Sequence, residues 1–183
     1  MRSENGHSSP VPQPVLQRTR PGLGTYVTVG VAGLPEVEAE AALERAFAAI
    51  ARVDAVMSFH SGDSDLARLH AAPVGVAVEV CADTMAVLQC ADRLYRLSGG
   101  SFDVTVAPAL VRGGGLPAPA SGTGNPDPRA RWADVELLPD NRVVLRRSVW
   151  IDLGGIAKGY AVDSAIEALQ LPSAASGQVN AGG

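Results

Sequence analysis

The sequence predicts an α+β fold, with largely antiparallel sheets packed with helices. Three observations carry this. Alternating Val- and Thr-rich runs mix with amphipathic helical stretches, and no strict βαβ rhythm orders them. Two of the runs, around Asp134 to Leu138 and Arg142 to Arg147, flank Pro139-Asp140-Asn141, a hairpin signature. No internal repeat of about 20 to 50 residues is visible, which argues against a solenoid or propeller.

Composition sets the outer limits. A length of 183 residues suits one domain. Hydrophobic residues make up 46%, enough for a core, but aromatics only 4%, so Ala, Val and Leu must fill it. A net charge of −4 leaves no basic surplus to neutralise a phosphate backbone, so nucleic acid is a poor partner. No apolar run reaches the roughly 18 to 20 residues of a membrane helix. The start, MRSENGHSSPVPQPVLQRTRPG, has no apolar h-region, which predicts a cytoplasmic protein without a secretory signal. Residues 1–21 read as a flexible lead-in and residues 22–183 as the folded portion. Cys81 and Cys90, nine residues apart on a predicted helix, would stand roughly 13 Å apart, too far for a disulfide. They read as small core residues.

The elements follow in order. Thr25 to Ala32 (TYVTVGVA) alternates as a strand does. Gly33 and Pro35 mark a turn, and Glu36, Glu38 and Glu40 favour the start of a helix over 35–57. Its stripe is Leu43, Phe47, Ile50, Asp54 and Met57, with Asp54 the one polar member. After a polar loop, Ser64 can cap a short helix over 65–70. Val76 to Val80 is a second strand. Asp83 can cap a helix with the stripe Val87, Leu88, Ala91, Leu94 and Tyr95, ended by Gly99-Gly100. Ser101 to Ala107 (SFDVTVA) reads as a strand, and residues 112–130 as a long Gly/Pro/Ala loop. Beyond the hairpin, Val149 to Ile151 reads as a strand. A helix over 155–171 follows, with Val162, Ile166 and Leu169 on one face. Gln178 to Asn180 is a last extended piece.

Three segments can carry chemistry. In WIDLGGIAKGYAVD (Trp150 to Asp163) a strand runs into two glycines and a helix. That junction offers backbone N–H groups and a positive dipole end to an anion. Lys158 adds a full charge, and its i+3 and i+4 neighbours, Ala161 and Val162, are not acidic. Asp152 could orient a polar ligand edge. The segment is not a P-loop, because Tyr160 stands where Lys should be. A tight turn with a solvated lysine is the plain alternative. In SGGSFDVTV (Ser98 to Val106), Phe102 could cover a flat ring while Asp103 bonds its edge; a helix cap before an ordinary strand is the alternative. The third segment, VMSFHSGDSDL (Val56 to Leu66), holds His60, or is simply a surface loop with an N-cap. His7, His60 and His70 are scattered and form no metal cluster. An oxygen-bound cation such as Mg²⁺ remains open.

Together and in this order, GLGT (Gly22 to Thr25), MSFH…SDLARLH (Met57 to His70), SGGSFDVTV, DLGGIAKGYAVD (Asp152 to Asp163) and VNAGG (Val179 to Gly183) resemble the ApbE family of FAD:protein FMN transferases. The resemblance spans residues 22–183. It implies an ApbE-like fold and a transferase that splits FAD with Mg²⁺. FMN would be attached to a Thr or Ser hydroxyl of an acceptor flavoprotein subunit of a redox complex, and AMP released. By similarity, Leu23, His60, Ser101, Phe102, Asp103, Asp152 and Lys158 contact FAD, and the Gly155 carbonyl ligates the metal. Leu23 stands where the family often has Met, His60 where it commonly has Tyr, and His70 where it usually has Asn. Relatives continue past NAGG into an Asp…Thr segment that supplies further Mg²⁺ ligands. The resemblance therefore implies a C-terminally truncated chain that binds metal poorly and turns over slowly or not at all. Most of the family is exported, so a periplasmic location is the alternative to the cytoplasm. Two other readings stay open: an Mg²⁺-dependent FAD pyrophosphatase, and a non-catalytic FAD- or nucleotide-binding module.

Overall fold

The computed structural model describes residues 15–119, 124–173 and 175–182. Along the chain run β1 (Val15–Gly22), β2 (Thr25–Ala32), α1 (Glu36–Met57), α2 (Asp65–Ala71), β3 (Ala77–Glu79), α3 (Ala82–Leu97), α4 (Ala107–Arg112), β4 (Val135–Leu138), β5 (Arg142–Leu145), α5 (Ala157–Leu169) and β6 (Ser176–Ala181). The strands form two three-stranded sheets, ordered β1-β2-β6 and β3-β5-β4, and every pairing is antiparallel. The expected α+β antiparallel fold is the one observed. Among the described residues, no helix is long and apolar enough to cross a membrane.

Each sheet builds its own core. In β2 the period-two alternation puts Val27, Val29 and Val31 inward, none more than 1% exposed. They meet Leu43, Phe47 and Ile50 of α1 and Ala165 and Leu169 of α5. The second core gathers Val143 and Leu145 of β5, Leu66 and Leu69 of α2, Val87 and Leu88 of α3, and Ile151 and Leu153. Burying one Val or Leu side chain contributes about 1.5–3 kcal/mol. Helices α1 and α5 serve both cores. The last turns of α1 (Val53, Met57) and the first of α5 (Ala157, Ala161) belong to the second. The two helices therefore run antiparallel, side by side. Arg45 of α1 confirms this direction by donating to the carbonyls of Ala168 and Leu169 at the far end of α5.

Several expectations need correcting. The lead-in over 1–21 gives way at Val15 to an edge strand; residues 1–14 lie outside the described residues. Its run QRTR looks unlike a strand because charged side chains, not apolar ones, face the neighbouring helix. Arg18 pairs with Glu40 and Arg20 with Glu44, and the Arg20 guanidinium lies 4.4 Å over the Phe47 ring. Residues 101–106 are not a strand. Asp103 Oδ1 accepts from the backbone N–H and the hydroxyl of Thr105, at 2.8 and 2.7 Å, and this local turn outcompetes extension. Pro108 then helps to start α4. Residues 149–151 are extended but unpaired. The Ile151 N–H donates to a side chain, His70 Nε2, and the Asp152 N–H to the Val104 carbonyl, so no ladder forms.

The cap of α3 is Cys81, whose Sγ accepts from the Thr84 N–H; Asp83 sits in the first turn instead. Both cysteines are free and half-buried rather than core residues. The helix expected over 155–171 covers only Ala157–Leu169, because Gly154 and Gly155 form the turn and Gln170 takes a left-handed φ of 49°. Its buried face is Ala157, Ala161, Ala165 and Leu169, whereas Ile166 is 45% exposed. Small residues let α5 lie close against α1, so side-chain size pointed to the wrong face.

Candidate functional site

Antiparallel α1 and α5 bring the end of one helix to the start of the other, and the site lies there. The β1–β2 turn closes one side. Gly22 pairs with Thr25, so only Leu23 and Gly24 make the bend. Their φ values are +54° and +71°, as the right-handed twist of a two-residue hairpin demands. Gly24 adopts this readily; Leu23 does not. The Leu23 N–H donates to Asp54 Oδ2 at 3.1 Å.

The loop after α1 closes the second side. Ser58 Oγ accepts from the N–H groups of His60 and Ser61 at 3.2 and 3.1 Å. The Ser64 hydroxyl donates to the Ser58 carbonyl at 2.7 Å and caps α2 by accepting from the Ala67 N–H. These bonds turn the chain tightly and leave His60 exposed at the rim. Phe59 is buried beneath, edge-on to His60, His70 and Trp150 at centroid distances of 5.4, 5.7 and 6.4 Å.

The third side is the strand-to-helix junction. His70, 5% exposed, accepts the Ile151 N–H at 2.8 Å through Nε2. That fixes the proton on Nδ1, which is buried with no partner. Burial pushes the His70 pKa down to about 4. The ring is therefore neutral at pH 7, the form that can accept. One residue on, Asp152 Oδ1 accepts the Gly154 N–H at 3.1 Å. The N–H groups of Ile156 and Ala157 go to the Leu153 carbonyl at 2.9 and 2.8 Å. Several amides expected to be open to an anion are thus already engaged, and the positive charge available falls on Lys158. It is the chain's single lysine, exposed and, among the described residues, without an ion pair. Tyr160 anchors the same helix. Its hydroxyl donates to Asp83 Oδ1 at 2.7 Å, while Arg52 holds Oδ2 at 2.9 Å. Burial, helped by the Asp83 carboxylate, pushes the phenol up to about 12.

These sides enclose a pocket of about 220 Å³. Four of the residues expected at the site line it together: Leu23, His60, Asp152 and Lys158. Ser101, Phe102, Asp103 and Gly155 do not line it. They lie next door: a Cβ on Gly155 would stand 3.7 Å from Phe102 Cε2, and the Val104 carbonyl holds the Asp152 N–H. Asp103 Oδ1 is occupied by Thr105, so its expected bond to a ligand edge would fall to the other oxygen. Asp54, Phe59 and Leu116 also line the pocket and were not assigned to it from the sequence. Asp54 had left a signal, as the one polar residue on an apolar stripe. Leu116, in the Gly/Pro loop, left none.

The volume is below the roughly 300–1,000 Å³ of a whole small-molecule site, so a dinucleotide would extend beyond it. A longer ligand would extend across the Phe102–Gly155 surface. For a cation the donors are too few. Among the described residues, no group of three or more His, Cys, Asp or Glu could hold a metal ion, and the Gly155 carbonyl does not make an octahedral site by itself.

Comparison with known proteins places this arrangement. The ApbE family model matches residues 23–183. The FAD:protein FMN transferase of Haemophilus influenzae is 31% identical over 144 residues, covering 72% of this chain and 41% of that protein. The protein of the same name from Treponema pallidum is 28% identical over 175 residues, covering 88% and 48%. The chain thus spans less than half the length of these curated relatives. Among solved structures, the ApbE protein of Thermotoga maritima superposes with a TM-score of 0.72 at 31% identity, covering 93% of this chain and 57% of that one. The flavin transferase ApbE of Vibrio cholerae gives 0.75 at 24% identity, over 87% and 54%, a likeness of fold. A match that begins at the pocket's own Leu23 and runs to the last residue leaves one conclusion: the chain belongs to the ApbE family.

Proposed function

We propose that the chain carries the flavin-nucleotide site of an FAD:protein FMN transferase. The observation that supports this best is convergence: Leu23, His60, and the pair Asp152 and Lys158 come from three separate segments and line one pocket. In the proposed reaction a Thr or Ser hydroxyl of an acceptor flavoprotein, a subunit of a redox complex, attacks the phosphorus on the FMN side of FAD. The new P–O bond forms as the pyrophosphate P–O bond breaks. AMP leaves with the bridging oxygen, and the hydroxyl proton passes to a base. Lys158, beside the start of α5, stabilises the charge that builds on the phosphates. The rest of the rate comes from holding the hydroxyl in line with the phosphorus. Leu23 and Phe102 offer apolar surface to the rings, and Asp152 and Asp103 offer acceptors to their edges. Residues 22–183, with β1 added at their start, form this portion of the domain. Mg²⁺ belongs to the proposed reaction, but the described residues do not build its site, and no step is derived through it.

Incubation with FAD, Mg²⁺ and a peptide bearing an acceptor Thr tests the proposal. Covalent FMN on the peptide supports it. Free FMN with AMP would instead indicate a pyrophosphatase, and unchanged but bound FAD a binding module. The single lysine supplies an independent check. FAD should protect Lys158 from an amine-acylating reagent, read at one position by mass spectrometry; equal labelling with and without FAD would remove Lys158 from the site.

A further inference from the structure

We propose that Asp54 is a positioning residue: its carboxylate holds the Leu23 amide and thereby fixes the left-handed turn that sets the Leu23 side chain in the pocket wall. The inference rests on the flavin reading of that pocket, but its first half does not depend on any ligand.

Three observations carry it. Leu23 occupies the first bend position of a two-residue hairpin turn at φ +54°, where Asn, Asp or Gly is at home and a branched apolar side chain is not. A residue against its local preference marks a place where the surroundings dictate the backbone. Those surroundings include one charged acceptor, Asp54 Oδ2, 3.1 Å from the Leu23 nitrogen. Asp54 is equally out of place on its own element. It follows buried Val53 and lies one turn from buried Ile50 and Met57. Leu23, for its part, packs against both hydrophobic cores and lines the pocket together with Gly24 and Asp54. Two locally unfavourable choices, a Leu in the turn and an Asp on the stripe, are thus joined by one hydrogen bond at the mouth of the site. Without that bond the hairpin can relax to other conformations, and the Leu23 side chain leaves the wall.

The test uses three single variants of this chain and one double variant. Asp54→Ala should speed hydrogen exchange at the Leu23 amide about tenfold or more, the loss expected for a hydrogen bond to a charged acceptor. It should weaken FAD binding, read by quenching of flavin fluorescence, by about the same factor. Asp54→Asn keeps an oxygen that can accept, and should hold both readouts within about threefold. Leu23→Gly keeps the turn and removes the side chain, so it should weaken FAD, and Asp54→Ala added to it should weaken FAD little further. Additive effects in the double variant would overturn the claim that Asp54 acts through Leu23. Unaltered Leu23 exchange in Asp54→Ala would overturn the positioning role outright. Failure of the parent chain to quench FAD would sink the flavin reading instead, while the exchange result would still decide the role of Asp54.

Discussion

The two cores of this molecule are built from different chemistry. The core under β1-β2-β6 is apolar throughout: Val27, Val29, Val31, Leu43, Phe47 and their neighbours. The buried polar residues Ser64, Asp65, His70, Thr84 and Thr105 lie in the segments around the other core. Each of the first three fixes backbone that no sheet or helix ladder satisfies. Ser64 binds the Ser58 carbonyl, Asp65 Oδ2 accepts the Cys81 N–H at 2.8 Å, and His70 accepts the Ile151 N–H. Both halves bury an apolar core, but the half around β3-β5-β4 adds side-chain hydrogen bonds that let irregular backbone stay inside.

The sharpest way to break this comparison is to damage the apolar half alone. Leu43 is fully buried there. Leu43→Ala should cost about 2–5 kcal/mol by urea denaturation, the loss of transfer energy plus a cavity. FAD affinity of the protein that remains folded should not change. An affinity that falls in step with stability would mean the two halves are not separable.

Acid should strike the other half. His70 is neutral when folded, with its pKa pushed from 6.5 to about 4 by burial. Between those values the unfolded chain binds the proton and the folded chain does not. Stability is therefore fully present above about pH 6.5 and is lost as pH falls toward 4, on the order of 3 kcal/mol in all. His70→Asn offers an amide oxygen to the Ile151 N–H and removes the titration, so denaturation curves at pH 7 and pH 4.5 should draw together. An unchanged gap would show that other groups set the acid limit.

The same contrast explains what was legible in the sequence. Where burial rules, periodicity shows it: β2 falls where alternation puts it, α1 within a residue, and the hairpin within two, its strands starting at Val135 and ending at Leu145. Where hydrogen bonds rule, it misleads. SFDVTVA alternates like a strand, but Asp103 turns it through Thr105. Val149 to Ile151 has strand composition, but the Ile151 N–H goes to His70 and the next N–H, of Asp152, to Val104. β1 hid for the opposite reason, since its arginines serve α1 and mask the edge of a sheet. Four residues that the motifs single out, Leu23, His60, Asp152 and Lys158, line one pocket, while Asp54 and Leu116 needed the three-dimensional arrangement.

Lys158 sharpens the comparison from the functional side. It is exposed and its removal leaves neither core open. Lys158→Ala should leave the denaturation midpoint within error and weaken FAD binding about tenfold at low salt. The difference should shrink at high ionic strength, because an exposed charge acting on phosphate is screened. Equal FAD affinity for the two proteins at low salt would count against a phosphate role.

Tyr160, two residues along α5, is the control with the smallest effect. It belongs to the same motif as Lys158, yet its hydroxyl points away to Asp83, which Arg52 also holds. Tyr160→Phe removes one hydrogen bond and leaves the Asp83 carboxylate partnered, so no charge is stranded. The stability cost is that of a hydrogen bond to a charged acceptor, about 1.5–3 kcal/mol, and it is the effect on the ligand that is smallest. FAD binding should stay within about twofold, because α5 remains packed on α1 through Ala157, Ala161, Ala165 and Leu169. The phenol ordinarily titrates near 10 and is pushed to about 12 here, so folding is favoured most below pH 10 and that contribution fades above it. In Tyr160→Phe this alkaline loss should be absent. A large drop in FAD affinity would place Tyr160 at the ligand rather than behind it.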